Sequence, residues 1–164
     1  MSFKSDHQTL SFSDLELSQT TVKNNTLEHL KTLDQRIHWE PIESALVESY
    51  PVGKKKTGPQ AYSPLMLLKC LLLRNWFQIK SDIALESLIN DRFSFKKFIG
   101  LSMGEPAPDS STFSRFRKRL GKKKCELMLS DISARLSRKN IIVNHGYTID
   151  IQITRSNRST ETQI

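Results

Sequence analysis

A run of basic residues in the second half of the chain has the composition of a phosphate-binding segment. In PDSSTFSRFRKRLGKKK, residues 108–124, seven of the ten positions from Arg115 to Lys124 are Lys or Arg. Clustered cations attract polyanions and neutralise phosphates. The segment therefore predicts contact with a nucleic acid, and a solvated basic helix without a partner is the alternative.

Helical geometry separates the apolar residues of this segment from its cations. At 100° per residue, one stripe holds Phe113, Phe116 and Leu120. The opposite stripe holds Arg115, Lys118, Arg119 and Lys122. The carboxylate of Asp109 is placed to cap a helix that starts near Ser110 and ends before Gly121. One face can then dock on a core while the other meets solvent or phosphate.

A capped helix of this kind, preceded by helices that bury its back, predicts a helix-turn-helix-like segment in the major groove of DNA. A second cluster of cations lies in the Pro- and Gly-rich loop 51–62, where phosphate contact and plain solvation are both open. RNA is disfavoured because RNP-like and GXXG motifs are absent. The candidate DNA-binding residues are Ser111, Ser114, Arg115, Lys118, Arg119, Lys122, Lys123, Lys124, Lys54, Lys55 and Lys56.

Charge is distributed unevenly along the 164 residues, whose net charge is +8. Residues 1–50 have four Lys or Arg against eight Asp or Glu, whereas residues 51–164 have twenty-one against nine. The second part should therefore bind the polyanion.

The longest apolar stretch, Leu65 to Leu73, is too short to cross a bilayer, so we expect a cytoplasmic protein without a membrane partner. Cys70 and Cys125 are predicted to be buried thiols rather than a disulfide or a zinc site.

The periodicity predicts a mainly α fold, a helical bundle that ends in one isolated β-strand. Residues 1–23 should be a flexible arm, residues 24–140 the helical DNA-binding domain, and residues 141–164 one strand at about 146–154 with a polar tail. The first two helices should pack by their apolar faces. The Leu-rich helix capped by Ser63 is apolar all round and should lie in the middle of the bundle.

Three segments resemble one family: YSPLMLLKCLLLRNWFQIKSD, INDRFSFKKFIGL and PDSSTFSRFRKRL. They are similar to the N-terminal helical domain of bacterial insertion-sequence transposases of the DDE type, in the insertion-sequence-five-like group. The resemblance implies that a ribonuclease-H-like domain follows the helices. It also implies that Asp150, in GYTIDIQIT, matches the first catalytic aspartate. The chain departs from the family at Ile151 and Gln152, where small residues are usual.

In that family three carboxylates hold two Mg²⁺ ions for phosphoryl transfer. The chain ends fourteen residues after Asp150, so the expectation is a truncated protein without catalysis or a cofactor of its own. In a complete enzyme Asp150 would be a metal ligand. The implied function is binding of double-stranded DNA at the element's terminal repeats, as a homo-oligomer or a mixed oligomer with full-length transposase. A small DNA-binding regulator or inhibitor and a helical protein-interaction module are the alternatives.

Overall fold

Seven helices make up the described part of the chain, so the predicted mainly α fold is confirmed there. The computed structural model describes residues 24–50, 61–139 and 141. None of these helices is long and apolar enough to span a membrane. In chain order they are α1 (Asn25–Arg36), α2 (Trp39–Ser49), α3 (Pro64–Trp76), α4 (Asp82–Asp91), α5 (Phe93–Ile99), α6 (Ser110–Leu120) and α7 (Lys122–Arg138).

Side-chain caps begin four of the helices and satisfy backbone amides that have no partner within the helix. The helix starts predicted at two of these caps, Ser63 and Asp109, are confirmed. Gly100 ends α5 at φ 79°, in the left-handed region that glycine occupies without steric cost. The four caps accept hydrogen bonds as follows: Asn24 from Leu27 N at 3.0 Å, Ser63 from Met66 N at 3.4 Å, Ser81 from Ala84 N at 3.1 Å and Asp109 from Thr112 N at 2.6 Å.

Helix α3 lies at the centre of the bundle, as its all-round apolar sequence predicts. It packs against α2, α5, α6 and α7. A helix that meets neighbours on all sides buries apolar area around its whole circumference, which is the main favourable contribution to folding. The buried apolar residues of α3 after its first turn are Met66, Leu67, Leu68, Cys70, Leu71, Leu72, Leu73 and Trp76.

Lys69 interrupts this apolar sequence because it joins three helices. Its ammonium donates to Asp34 Oδ1 on α1 at 2.8 Å and to the Phe98 carbonyl on α5 at 3.3 Å. It also lies over the Trp39 ring, 4.6 Å from the centroid. The cation–π contact and the ion pair together offset the free-energy cost of removing this charge partly from water.

The first two helices pack by their apolar faces, but on different partners. Helix α1 packs chiefly on α5, and α2 packs chiefly on α3. The buried residues Leu30 and Leu33 of α1 and Leu46 of α2 serve these separate contacts. Apolar spacing identifies a buried face but does not identify its partner, which tertiary packing decides.

The remaining helices complete the support of α6. Helix α4 packs on α5 and α6, and α6 packs on α7.

Both cysteines are free and buried, as predicted, and burial raises the pKa of each thiol. The predicted arm at 1–23, the strand at 146–154, the Lys54, Lys55 and Lys56 cluster and Asp150 lie outside the described residues.

Candidate nucleic-acid interface

Helix α6 is anchored by its apolar stripe, as the periodicity predicts. Phe113 and Phe116 are fully buried, and Leu120 is 5% exposed. The Phe116 ring meets Tyr50 edge-on, with 5.2 Å between centroids. The opposite side of α6 is consequently fixed toward solvent, and it exposes Ser111, Ser114, Arg115, Lys118 and Arg119.

The loop that leads into α6, residues 100–109, is held in place by polar contacts to α4 and α5. The buried ammonium of Lys96 donates to the carbonyls of Met103 at 2.7 Å and Glu105 at 2.8 Å. The Ala107 amide donates to Asn90 Oδ1 at 2.9 Å. This connection is longer than the roughly three- to four-residue turn of a helix-turn-helix. The helix-turn-helix assignment therefore stays a prediction.

Two carboxylates occupy the N-terminal end of α6. Asp109 accepts from Thr112 N at 2.6 Å and from the Ser111 hydroxyl at 2.9 Å, and Glu86 accepts from Ser110 N at 2.8 Å. The hydrogen bonds from Thr112 and Ser111 hold the pKa of Asp109 below its ordinary value. Two backbone amides at this end are thus already bonded to anions, and the negative charge there opposes the approach of phosphate.

Arg115 folds back onto this N-terminal end. Its guanidinium donates from Nε to the Ser111 carbonyl at 3.2 Å and from Nη2 to the Ser111 hydroxyl at 2.7 Å. The same Nη2 lies 3.6 Å from Asp109 Oδ1. Two of the sequence-predicted DNA contacts, Ser111 and Arg115, are therefore engaged within the helix cap.

At the C-terminal end of α6 and the start of α7, most of the cations face solvent and lie away from carboxylates. Gly121, at φ 90°, joins the two helices directly. Lys124 points to α2, where its ammonium donates to the Ser49 hydroxyl. Apart from Lys124 and Arg117, the cations here are exposed and, within the described part of the chain, form no ion pair with a carboxylate. We call these four the corner cations: Lys118, Arg119, Lys122 and Lys123.

Arg117 differs from its basic neighbours because it points inward to α4. Both terminal nitrogens of its guanidinium donate to the two oxygens of Asp82, and this hydrogen bonding raises the pKa of Arg117. Asp82 also lies 3.3 Å from Arg74 Nη1 on α3. One carboxylate, 16% exposed, therefore sits between two guanidiniums and neutralises only one of their charges.

A groove of about 840 Å³ opens beside this triad, between the end of α3 and the corner where α6 meets α7. Glu126 is the one acidic side chain that lines it among the described residues. We call it the basic groove, after the five cations in its lining: Arg74, Lys80, Arg117, Lys118 and Lys122. The sequence contains no local signal for Arg74, Lys80 or Arg117 in this groove, because the first two lie far from the basic run and Arg117 falls outside the exposed stripe.

Metal-binding residues do not gather in the part of the chain that the structure describes. No group of three or more His, Cys, Asp or Glu there is arranged to hold an ion. The catalytic and metal-binding assignment of Asp150 lies outside that part and stays a prediction.

Comparison with known proteins gives one family match. A family model described as "Transposase domain (DUF772)" matches residues 16–119. This range contains helices α1 to α5 and all but the last residue of α6, whereas α7 and Asp150 lie beyond it. No curated protein and no solved structure matches the chain.

Proposed function

The chain belongs to the DUF772 transposase domain family, and from this premise we propose that its helices form the duplex-DNA-binding part of a transposase. The supporting observation is the set of four exposed corner cations without carboxylate partners among the described residues. Lysine and arginine side chains in this state can neutralise backbone phosphates and release counterions. Membership in the transposase family indicates that these phosphates belong to DNA, because transposition acts on DNA.

The form of α6 suits a double helix. An α-helix with an exposed polar face fits the major groove, where side chains reach base edges. Arg119 can serve as a donor to guanine or to phosphate, and Ser114 is exposed one turn before Lys118. We assign the contacts to the C-terminal half of α6 because Ser111 and Arg115 are occupied at the other end.

The proposal extends to the DNA sequence that the chain binds and to its protein partners. Recognition of the terminal repeats of an insertion sequence, and assembly with itself or with a full-length transposase, follow from the family resemblance. Asp150 and the Mg²⁺ chemistry do not enter the proposal, since Asp150 lies outside both the described residues and the range of the family match.

The test is duplex binding measured over a range of salt concentrations. The variant replaces Lys118, Arg119 and Lys122 by Gln, and the matched control replaces Lys31, Arg36 and Lys97, three exposed cations on α1 and α5. Both remove three charges, so a general effect of net charge appears in both. We expect the wild-type chain to bind a mixed-sequence duplex with strong salt dependence. The log–log slope is that of the logarithm of the binding constant against the logarithm of the salt concentration. In the first variant its magnitude should fall by about 0.9 for each phosphate contact removed.

Two outcomes would reject the proposal. One is a wild-type chain that does not bind the duplex, or binds it without salt dependence, which would favour the protein-interaction alternative. The other is an equal loss of affinity and slope in the variant and its control. Circular dichroism of both variants verifies that the helices are retained.

A further inference from the structure

The basic groove contains cations that the outer face of α6 does not include. Arg74 comes from α3, and Lys80 comes from the turn between α3 and α4. Neither lies in the basic run, and yet the fold brings both to Lys118 and Lys122. We propose that the basic groove is a second phosphate-binding site, which holds the backbone of the same duplex beside the contact made by α6. This inference rests on the proposed function.

The two guanidiniums of the groove act as fixed positive charges. Arg117 is held by Asp82 through both terminal nitrogens. Arg74 is held by Asp82 and by the carbonyls of Ile79 and Lys80, each at 3.3 Å. Their positions are set before any ligand arrives, so little side-chain entropy is lost on binding. Asp82 neutralises one charge of the two, and the remainder raises the potential in the groove.

The lysines of the groove supply the direct contacts. Lys80, Lys118 and Lys122 are exposed, and their ammonium groups form no ion pair with a carboxylate of the described residues. An ammonium on a flexible stem reaches phosphate as a point charge and does not need a fixed geometry. The groove thus combines a rigid charged wall with adaptable donors, which suits the irregular approach of a backbone phosphate.

Continuity with the corner cations identifies the ligand as DNA backbone. Lys118 and Lys122 belong to both sets, so a strand that touches the corner passes the mouth of the groove. Each DNA strand has one charge per about 3.4 Å of helix axis, so neighbouring phosphates reach Lys80 in the same complex. Glu126 opposes this contact, because its carboxylate lines the same groove.

The test uses two charge changes of opposite sign, each with a matched control. Lys80→Gln removes a groove cation, and its control is Lys97→Gln on α5, outside the groove lining. Glu126→Gln removes the groove carboxylate, and its control is the exposed Glu43→Gln on α2. All four side chains are exposed, so the variants should remain folded, which thermal melts verify. Affinity for a mixed-sequence duplex is measured as a function of salt.

We expect Lys80→Gln to weaken binding several-fold and to lower the log–log slope by about 0.9, the value of one phosphate contact. Lys97→Gln should leave the slope unchanged. Glu126→Gln should tighten binding more than Glu43→Gln, although both raise the net charge by one.

The outcomes separate this inference from the function on which it rests. If the triple variant at Lys118, Arg119 and Lys122 weakens binding while Lys80→Gln and Glu126→Gln match their controls, the groove is not a phosphate site and the proposed function stands. If the wild-type chain does not bind duplex DNA, both are overturned. A loss of slope in Lys80→Gln together with tighter binding by Glu126→Gln supports the groove.

Discussion

The cations of helix α6 that face its two ends differ in what they contact, and most of them lie in its last turn. At the N-terminal end, Arg115 folds onto Ser111 and lies near Asp109, and Glu86 bonds the first amide. At the C-terminal end, Lys118 and Arg119 face solvent without a carboxylate partner in the described chain. The comparison shows that the number of charges on a helix is a poor guide to those available for a ligand.

The difference has a physical origin in the helix itself. The N-terminal end of a helix has unpaired amides and a partial positive charge, which favour carboxylates such as Asp109. A carboxylate placed there then attracts a cation from farther along the helix, as Arg115 shows, six residues after Asp109. Beyond the last turn Gly121 redirects the chain into α7, whose first turn contains no acidic residue. Cations at the corner therefore remain available.

The largest expected effect is on the free energy of unfolding and concerns Asp82, the α4 carboxylate that binds Arg117 near the C-terminal end of α6. Asp82→Ala leaves Arg74 and Arg117 close together without their shared partner. Removing one partner of a buried pair costs about 3–5 kcal/mol, and we expect about 1–3 kcal/mol here because both guanidiniums are partly exposed. Urea unfolding measures the loss. Asp91→Ala, an exposed acid on the same helix, is the control, and equal stability of the two variants would contradict the role assigned to Asp82.

The next effect concerns the N-terminal end. Asp109→Ala removes the cap of α6 and should lower the free energy of unfolding by about 1 kcal/mol, whereas Asp109→Asn retains a capping oxygen and should cost much less. Asn also loses the negative charge near Arg115, so duplex binding should tighten in that variant. The comparison of the two ends would be broken if Asp109→Asn left the affinity unchanged while the helix stayed intact.

Much of the fold was predictable from local features of the sequence. Ser63, Ser81 and Asp109 precede helices because their short side chains bond the first free amides, and that signal needs no knowledge of the tertiary structure. The central position of α3 follows from apolar residues on all its sides. The partners of α1 and α2 did not follow, because several neighbours can cover an apolar stripe equally well.

The candidate site was predictable only in part. Periodicity correctly placed Phe113 and Phe116 inside, and Lys118 and Arg119 outside. The pairing of Arg117 with Asp82, 35 residues away, and of Lys124 with Ser49, 75 residues away, arises from the fold and has no local signal. The basic groove depends on such long-range contacts, which explains why Arg74 and Lys80 were missed.

The most direct test of the account compares two single substitutions on the same helix. Arg115→Gln and Arg119→Gln remove the same charge from exposed positions one turn apart. Arg115 lies in the middle of α6 with its guanidinium folded onto the N-terminal end, whereas Arg119 lies in the last turn. Affinity for a mixed-sequence duplex is measured across salt concentrations for both. Arg119→Gln should lower the log–log slope by about 0.9, and Arg115→Gln should leave it close to the wild-type value. A loss of slope in Arg115→Gln equal to or larger than that in Arg119→Gln would show that the capped end contacts DNA and would contradict the account.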